Sequence, residues 1–166
     1  MLNGSSTSGK TTIIKNIIKE KKHYFRISYD SHKWSFSQYQ PDKHRLDIQK
    51  VMLAVAEAVF KMKYNIISDA TLYKKFRKKL ITLAKKHKYE ILEINLEADY
   101  EVLAKRFDER VENAKLNPEK RISNTSKDRF KELHDIFHKE KNPSAITLRT
   151  DIKTEKEILE NIFKLL

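Results

Sequence analysis

Cysteine is absent from this chain of 166 residues, so no disulfide and no thiolate metal site can form, which fits a reducing compartment. No apolar run approaches the ~18 residues that suggest a membrane span. The N-terminus also lacks the charged-then-apolar layout of a signal peptide. The chain is therefore expected to be soluble and cytoplasmic, with no membrane partner. Glycine is nearly absent: Gly4 and Gly9 are the only two, where an ordinary chain carries ~7%. Such a sequence keeps glycine only where the backbone must wrap around something.

Both glycines fall in Gly4-Ser5-Ser6-Thr7-Ser8-Gly9-Lys10-Thr11, which fits the phosphate-binding loop pattern G-x-x-x-x-G-K-[ST] with no mismatch. The run Thr12-Ile13-Ile14-Lys15-Asn16-Ile17-Ile18 that follows reads as an amphipathic helix. Successive backbone N–H groups and the positive end of that helix make a concave anion site. Gly4, Ser5, Ser6, Thr7, Ser8, Gly9, Lys10, Thr11 and Thr12 are thus expected to hold ATP or another nucleoside triphosphate. Lys10 would reach the β- and γ-phosphates, and the Thr11 hydroxyl would ligate Mg²⁺. Only Met1-Leu2-Asn3 precede the loop, so either the first strand is very short or the sequence begins late.

A length of 166 residues suits one domain, here 1–166. The formal net charge of +12 and pI near 9.7 favour polyanionic partners such as nucleotides, nucleic acid or anionic surfaces. The excess is mostly lysine spread over every helix, and a solvated basic surface explains it as well.

Hydrophobic periodicity then orders the chain. Helical patterns cover residues 10–22, 41–62, 72–88, 98–113, 125–141 and 154–166. Strand patterns cover 23–29, 64–69, 89–96 and 144–149. Residues 31–40 read as an irregular acceptor-side loop. Strands alternating with helices imply an α/β fold of about five parallel strands with helices on both faces. Ligands in such sheets bind beyond the carboxyl ends of the strands, where the phosphate loop, Asp30 and Asp69 should meet.

Asp69 ends Ile66-Ile67-Ser68-Asp69, the apolar-strand-then-acid form of a Walker B segment. It is expected to hold Mg²⁺ directly or through water. Asp30 would make the protein a kinase rather than a hydrolase. Transfer to an alcohol needs a group that accepts the hydroxyl proton in line with the γ-phosphate. For both acids the competing reading is a turn residue. Arg106 and Arg110 stand four apart on one helix face and could clamp charge developing on the transferred group; surface ion pairing is the alternative. Arg121 and Arg129 are candidate lid contacts. Asp30, Lys33, Trp34 and Arg121 are the candidate acceptor-binding residues, with His32, Phe36 and Tyr39 beside them. The six histidines show no metal-ligand spacing, and His134 and His138 lack further ligands, so no structural metal is expected.

With these residues in place the chain resembles the P-loop kinase group that holds chloramphenicol phosphotransferase-like proteins, zeta toxins and phage-type polynucleotide 5′-kinases. The phosphate loop and Tyr29-Asp30-Ser31 are most similar to the first of these. Ile66-Ile67-Ser68-Asp69-Ala70-Thr71-Leu72 and Leu103-Ala104-Lys105-Arg106-Phe107-Asp108-Glu109-Arg110 are similar to the polynucleotide kinases. The resemblance implies the P-loop kinase fold with a small helical lid near 106–129, Lys10 and Thr11 as ATP and Mg²⁺ ligands, Asp30 as general base, and Arg106 and Arg110 as lid arginines. Lys33 falls where the polynucleotide enzymes place an arginine that contacts the acceptor.

The reading is an ATP·Mg²⁺-dependent kinase with a small-molecule alcohol as acceptor, such as an antibiotic, sugar or nucleoside. The first alternative is a 5′-hydroxyl polynucleotide kinase acting on RNA or DNA ends. The second is a nucleotide-dependent switch or interaction protein.

Overall fold

The computed structural model describes residues 1–69, 74–117 and 126–166. Its elements run β1 (Leu2–Gly4), α1 (Lys10–Glu20), β2 (Tyr24–Ile27), α2 (Tyr29–Lys33), α3 (Pro41–Lys61) and β3 (Asn65–Ser68). They continue with α4 (Lys74–Lys86), β4 (Ile94–Glu97), α5 (Tyr100–Leu116), α6 (Lys127–Glu140), β5 (Ile146–Arg149) and α7 (Glu155–Phe163).

The five strands among the described residues are all paired in parallel, as the alternation of elements requires. They form two ladders rather than one: β1-β4-β5 and β2-β3. In the first, Leu2 is in register with Ile94, and Ile94 with Ile146. The pattern over residues 89–96 suggests a longer fourth strand than the four residues observed. The reason is that β1 offers only Leu2–Gly4 as partner, and the chain before Ile94 has no strand beside it to pair with. The two ladders share one apolar cluster, which holds Leu2, Ile67, Ile94, Leu96 and Leu148 together with Ile13, Ile14 and Ile17 of α1 and Ile158 and Ile162 of α7.

A second cluster joins Ile27 of β2 to Ile48, Met52, Ala56 and Phe60 of α3 and Phe76, Leu80 and Ala84 of α4. The two helix pairs therefore cover two apolar layers, with the strands between them. Each large side chain so buried contributes about 1.5–3 kcal/mol by leaving water. α4 shows how sequence dictates this: Phe76, Leu80 and Ala84 recur four apart and are buried. A third, smaller cluster of Leu103, Phe107 and Phe130 joins α5 to α6, with Phe107 and Phe130 stacked at 4.7 Å. These two helices flank residues 118–125, so the described part of the expected lid is a helix pair with its own apolar seam.

Helix ends follow local chemistry. α7 opens on a full capping box between Thr154 and Glu157. α6 is capped by Ser126, which accepts from the Arg129 backbone N–H. The stretch 31–40 is not wholly irregular, since residues 29–33 form α2. Asp30 consequently sits in the first turn of a short helix just beyond β2, not at the strand end itself.

Candidate active site

The phosphate loop joins β1 to α1, and its conformation explains both glycines. At Gly4, φ is +156°, and a Cβ there would lie 2.4 Å from Ser8 Oγ and 2.6 Å from the Leu96 carbonyl oxygen. Gly9 is the N-cap of α1 with φ +87°, a left-handed conformation in which glycine has no steric penalty. Thr7 is also left-handed, at φ +62°, and its hydroxyl shares its one proton between the Ser6 carbonyl at 2.6 Å and the Leu103 carbonyl at 2.8 Å. The first turn of α1 carries no side-chain cap and no acid, so its positive end is left for an anion.

Lys10 lies folded back on this loop. Its ammonium donates to the Gly4 carbonyl at 2.8 Å and the Ser5 carbonyl at 2.6 Å. Burial lowers its pKa to about 8, against the attraction of Asp69 and Asp30 and with the repulsion of Arg110. The same interactions place Asp69, Asp30 and Arg110 in one electrostatic neighbourhood with the loop lysine.

Asp69 follows β3 and accepts from Arg26 of β2 at 2.6 Å. Its other oxygen, Oδ1, is buried without a hydrogen-bond partner. An orphaned carboxylate oxygen near the loop, together with the exposed Thr11, is a donor set of the hard-oxygen kind that Mg²⁺ takes. Asp30 accepts from Lys33 at 2.6 Å; Lys33 is buried, while Asp30 keeps 62% of its side chain exposed. The Lys33 ammonium also lies 4.9 Å from the centroid of Trp34. Trp34 in turn meets Tyr39 edge-on, so Asp30, Lys33, Trp34 and Tyr39 form one contiguous group.

The two arginines of α5 part company. Arg106 donates to the Thr150 hydroxyl at 3.0 Å and the Thr150 carbonyl at 2.8 Å, which anchors α5 to the turn after β5. Beside it Arg149 pairs with Asp99 and Asp151, and that guanidinium holds the Asp151 carboxyl well below the usual range. Arg110 is exposed and makes no hydrogen bond or ion pair among the described residues. Arg121 lies outside the described residues, and Arg129 pairs with Glu132 on its own helix.

The sequence reading missed Arg26, His134 and Thr150. Arg26 had a signal: it is one of eight arginines and stands inside the otherwise apolar and aromatic strand Tyr24-Phe25-Arg26-Ile27. The hydrogen bond between His134 Nδ1 and Ser5 Oγ, 3.1 Å long, and that of Arg106 to Thr150 have no local signature.

Parallel strands under a phosphate loop with an acid after β3 define a P-loop nucleotide-binding protein. A sequence profile described as AAA domain matches residues 1–133. The chain belongs to that family, which is of the P-loop kinase type. Among solved structures, a chain of the Pnkp1/Rnl/Hen1 RNA repair complex aligns with TM-score 0.67 and 22% identity over 84% of this chain and 43% of that one. A sugar kinase from Janibacter sp. HTCC2649 aligns with TM-score 0.62 and 15% identity over 98% and 90%. The APS kinase CysC of Mycobacterium tuberculosis, in complex with AMPPNP and APS, aligns with TM-score 0.63 and 14% identity over 99% and 94%. At these identities the likeness is one of fold. A search of curated proteins by sequence finds no match. Among the described residues no helix is long and apolar enough to cross a membrane.

Proposed function

We propose that this protein is an ATP- and Mg²⁺-dependent kinase that transfers the γ-phosphoryl group to an alcohol, with Asp30 as general base. The observation that carries this reading is a solvent-reachable carboxylate, Asp30, held by Lys33 just beyond the carboxyl end of the parallel strand β2, as the phosphate loop lies just beyond that of β1.

The acceptor hydroxyl gives its proton to an Asp30 oxygen as its own oxygen bonds to the γ-phosphorus. The bond from that phosphorus to the bridging oxygen breaks, and ADP leaves with the electron pair. Lys33 holds Asp30 from a buried position, orienting the carboxylate while leaving it open to the acceptor. Lys10 exchanges the Gly4 and Ser5 carbonyls for phosphate oxygens. Mg²⁺, held by Thr11 and Asp69, would neutralise charge on the β- and γ-phosphates. Arg110 would meet negative charge on the transferred group.

For the acceptor we favour a small hydroxylated molecule such as an antibiotic, sugar or nucleoside. A 5′-hydroxyl polynucleotide is the second reading, favoured by α4, whose 13 residues KKFRKKLITLAKK contain seven cations and no acid. The test is transfer of labelled γ-phosphate to a 5′-hydroxyl oligonucleotide beside a panel of nucleosides, sugars and antibiotics, with Asp30→Asn as control. Loss of proton acceptance should lower transfer by about 10²–10⁴-fold with ATP binding retained. Transfer that survives Asp30→Asn would remove Asp30 as base, whereas no transfer by the parent to any acceptor would return the protein to the nucleotide-switch reading.

A further inference from the structure

The two helices that flank residues 118–125 each take hold of the phosphate loop. α5 does so through the Leu103 carbonyl, which accepts from the Thr7 hydroxyl at 2.8 Å. α6 does so through His134, whose Nδ1 lies 3.1 Å from the Ser5 hydroxyl across 129 residues of sequence. Ser5 is a pivotal residue to hold: it is 2% exposed, and its own carbonyl receives the Lys10 ammonium at 2.6 Å. One residue is thus tied to α6 by its side chain and to the phosphate-binding lysine by its backbone.

The His134 ring is itself held in place. Tyr100 of α5 meets it edge-on at 5.1 Å, and His138, one turn further along α6, lies 4.4 Å away. The stacked Phe107–Phe130 pair fastens α6 to α5, so the histidine is borne on a packed helix pair and not on a free one. Burial and the neighbouring His138 push its pKa below the ordinary histidine value, against Asp135 and Glu97. A neutral ring near pH 7 can accept the Ser5 hydroxyl proton through Nδ1, the nitrogen in contact.

We propose that His134 is a positioning residue for the phosphate loop: through Ser5 it sets the backbone that Lys10 and the nucleotide phosphates share, coupling α6 to nucleotide binding. This rests on the nucleotide-binding reading of the loop.

The consequence is a defined pattern of affinities. His134→Phe keeps the ring's packing against Tyr100 and removes the nitrogen. His134→Asn returns a polar atom near the position of Nδ1. Ser5→Ala removes the other partner. With ATP·Mg²⁺ as probe, binding is measured by calorimetry, alongside the melting temperature of each protein without nucleotide. A net hydrogen bond of ordinary strength corresponds to about a fivefold change in Kd. The expected result is about fivefold weaker binding in His134→Phe and in Ser5→Ala, no further loss in the double variant, and recovery of most of the affinity in His134→Asn. The proposal is overturned if His134→Phe binds ATP as the parent does, or if the two effects multiply in the double variant. A melting temperature that falls while Kd stays put would overturn it too, because that is packing alone. Lys10→Ala separates the two levels. If the parent binds ATP no better than this variant, the nucleotide-binding reading fails and takes the proposal with it; if the parent binds and only the histidine pattern is missing, the proposal alone fails.

Discussion

Arg26 and Asp69 face each other across β2 and β3, the guanidinium 2.6 Å from Asp69 Oδ2, and only half of that carboxylate is satisfied. The Asp69 side chain is 9% exposed and that of Arg26 23%, while Oδ1 of the acid and Nε of the arginine are both buried without partners. Removing the arginine would leave a largely buried carboxylate with no cation beside it. A fully buried pair broken in this way costs about 3–5 kcal/mol; with the arginine partly in water, Arg26→Gln should cost about 1–3 kcal/mol. Mg²⁺ should recover part of that loss, so its addition should raise the melting temperature of Arg26→Gln by more than that of the parent. Equal shifts in the two proteins would argue that Asp69 does not meet the metal.

The two glycines should differ when each is given a methyl group. At Gly4 the new Cβ runs into Ser8 Oγ and, more seriously, into the Leu96 carbonyl of β4, which is backbone in the central ladder and cannot step aside. At Gly9 it meets nothing within 4 Å, leaving only the strain of φ +87°, about 1–2 kcal/mol. Gly4→Ala should therefore be the more destabilising by at least 1 kcal/mol, read as the difference in midpoint of urea unfolding. Equal midpoints would mean that the loop and β4 are not packed as closely as their backbones indicate.

Arg106 and Arg110 stand one turn apart yet should fail in different ways. Arg106 is spent on Thr150, so Arg106→Ala should lower stability by about 1–2 kcal/mol. Arg110 is exposed, and Arg110→Ala should change stability by less than about 0.5 kcal/mol. If Arg110 meets the transferred group, the same variant should lose 10-fold or more in kcat/KM, about 1.4 kcal/mol of transition-state stabilisation. Paired melting and kinetic measurements decide it; unchanged kcat/KM in Arg110→Ala would remove that arginine from the site.

That contrast shows where sequence stops being legible. The phosphate loop could be read outright because its function is carried by consecutive backbone units, and Gly4 and Gly9 announce it. Asp30 and Asp69 could be placed because parallel strands send their carboxyl ends to one edge. Arg106 and Arg110 look alike in sequence because spacing of four gives only a shared face; which partner each one meets depends on β5, more than 30 residues on. The Arg26–Asp69 pair likewise needs the β2–β3 register, in which Ile27 stands beside Ser68. The short helix at residues 29–33 has no apolar period to betray it, being a single turn and a half of polar and aromatic residues.

Lys10 yields a pH dependence whose sign can be worked out. Burial lowers its folded pKa from 10.5 to about 8, so the unfolded chain binds the extra proton between those values. Below pH 8 both states are charged and the desolvation cost is fully present. As pH rises from 8 towards 10.5 the folded state sheds that cost, and this residue's contribution to stability increases before levelling off. Nucleotide works in the opposite direction, because phosphate oxygens beside the ammonium favour its charged form. ATP should therefore bind with proton uptake above pH 8 and with little uptake at pH 7, and its affinity should fall as pH rises through 8. Calorimetry in two buffers of different ionisation enthalpy measures the uptake directly. Lys10→Met should abolish both the uptake and the fall in affinity. Uptake that persists in Lys10→Met would assign the titration to another group.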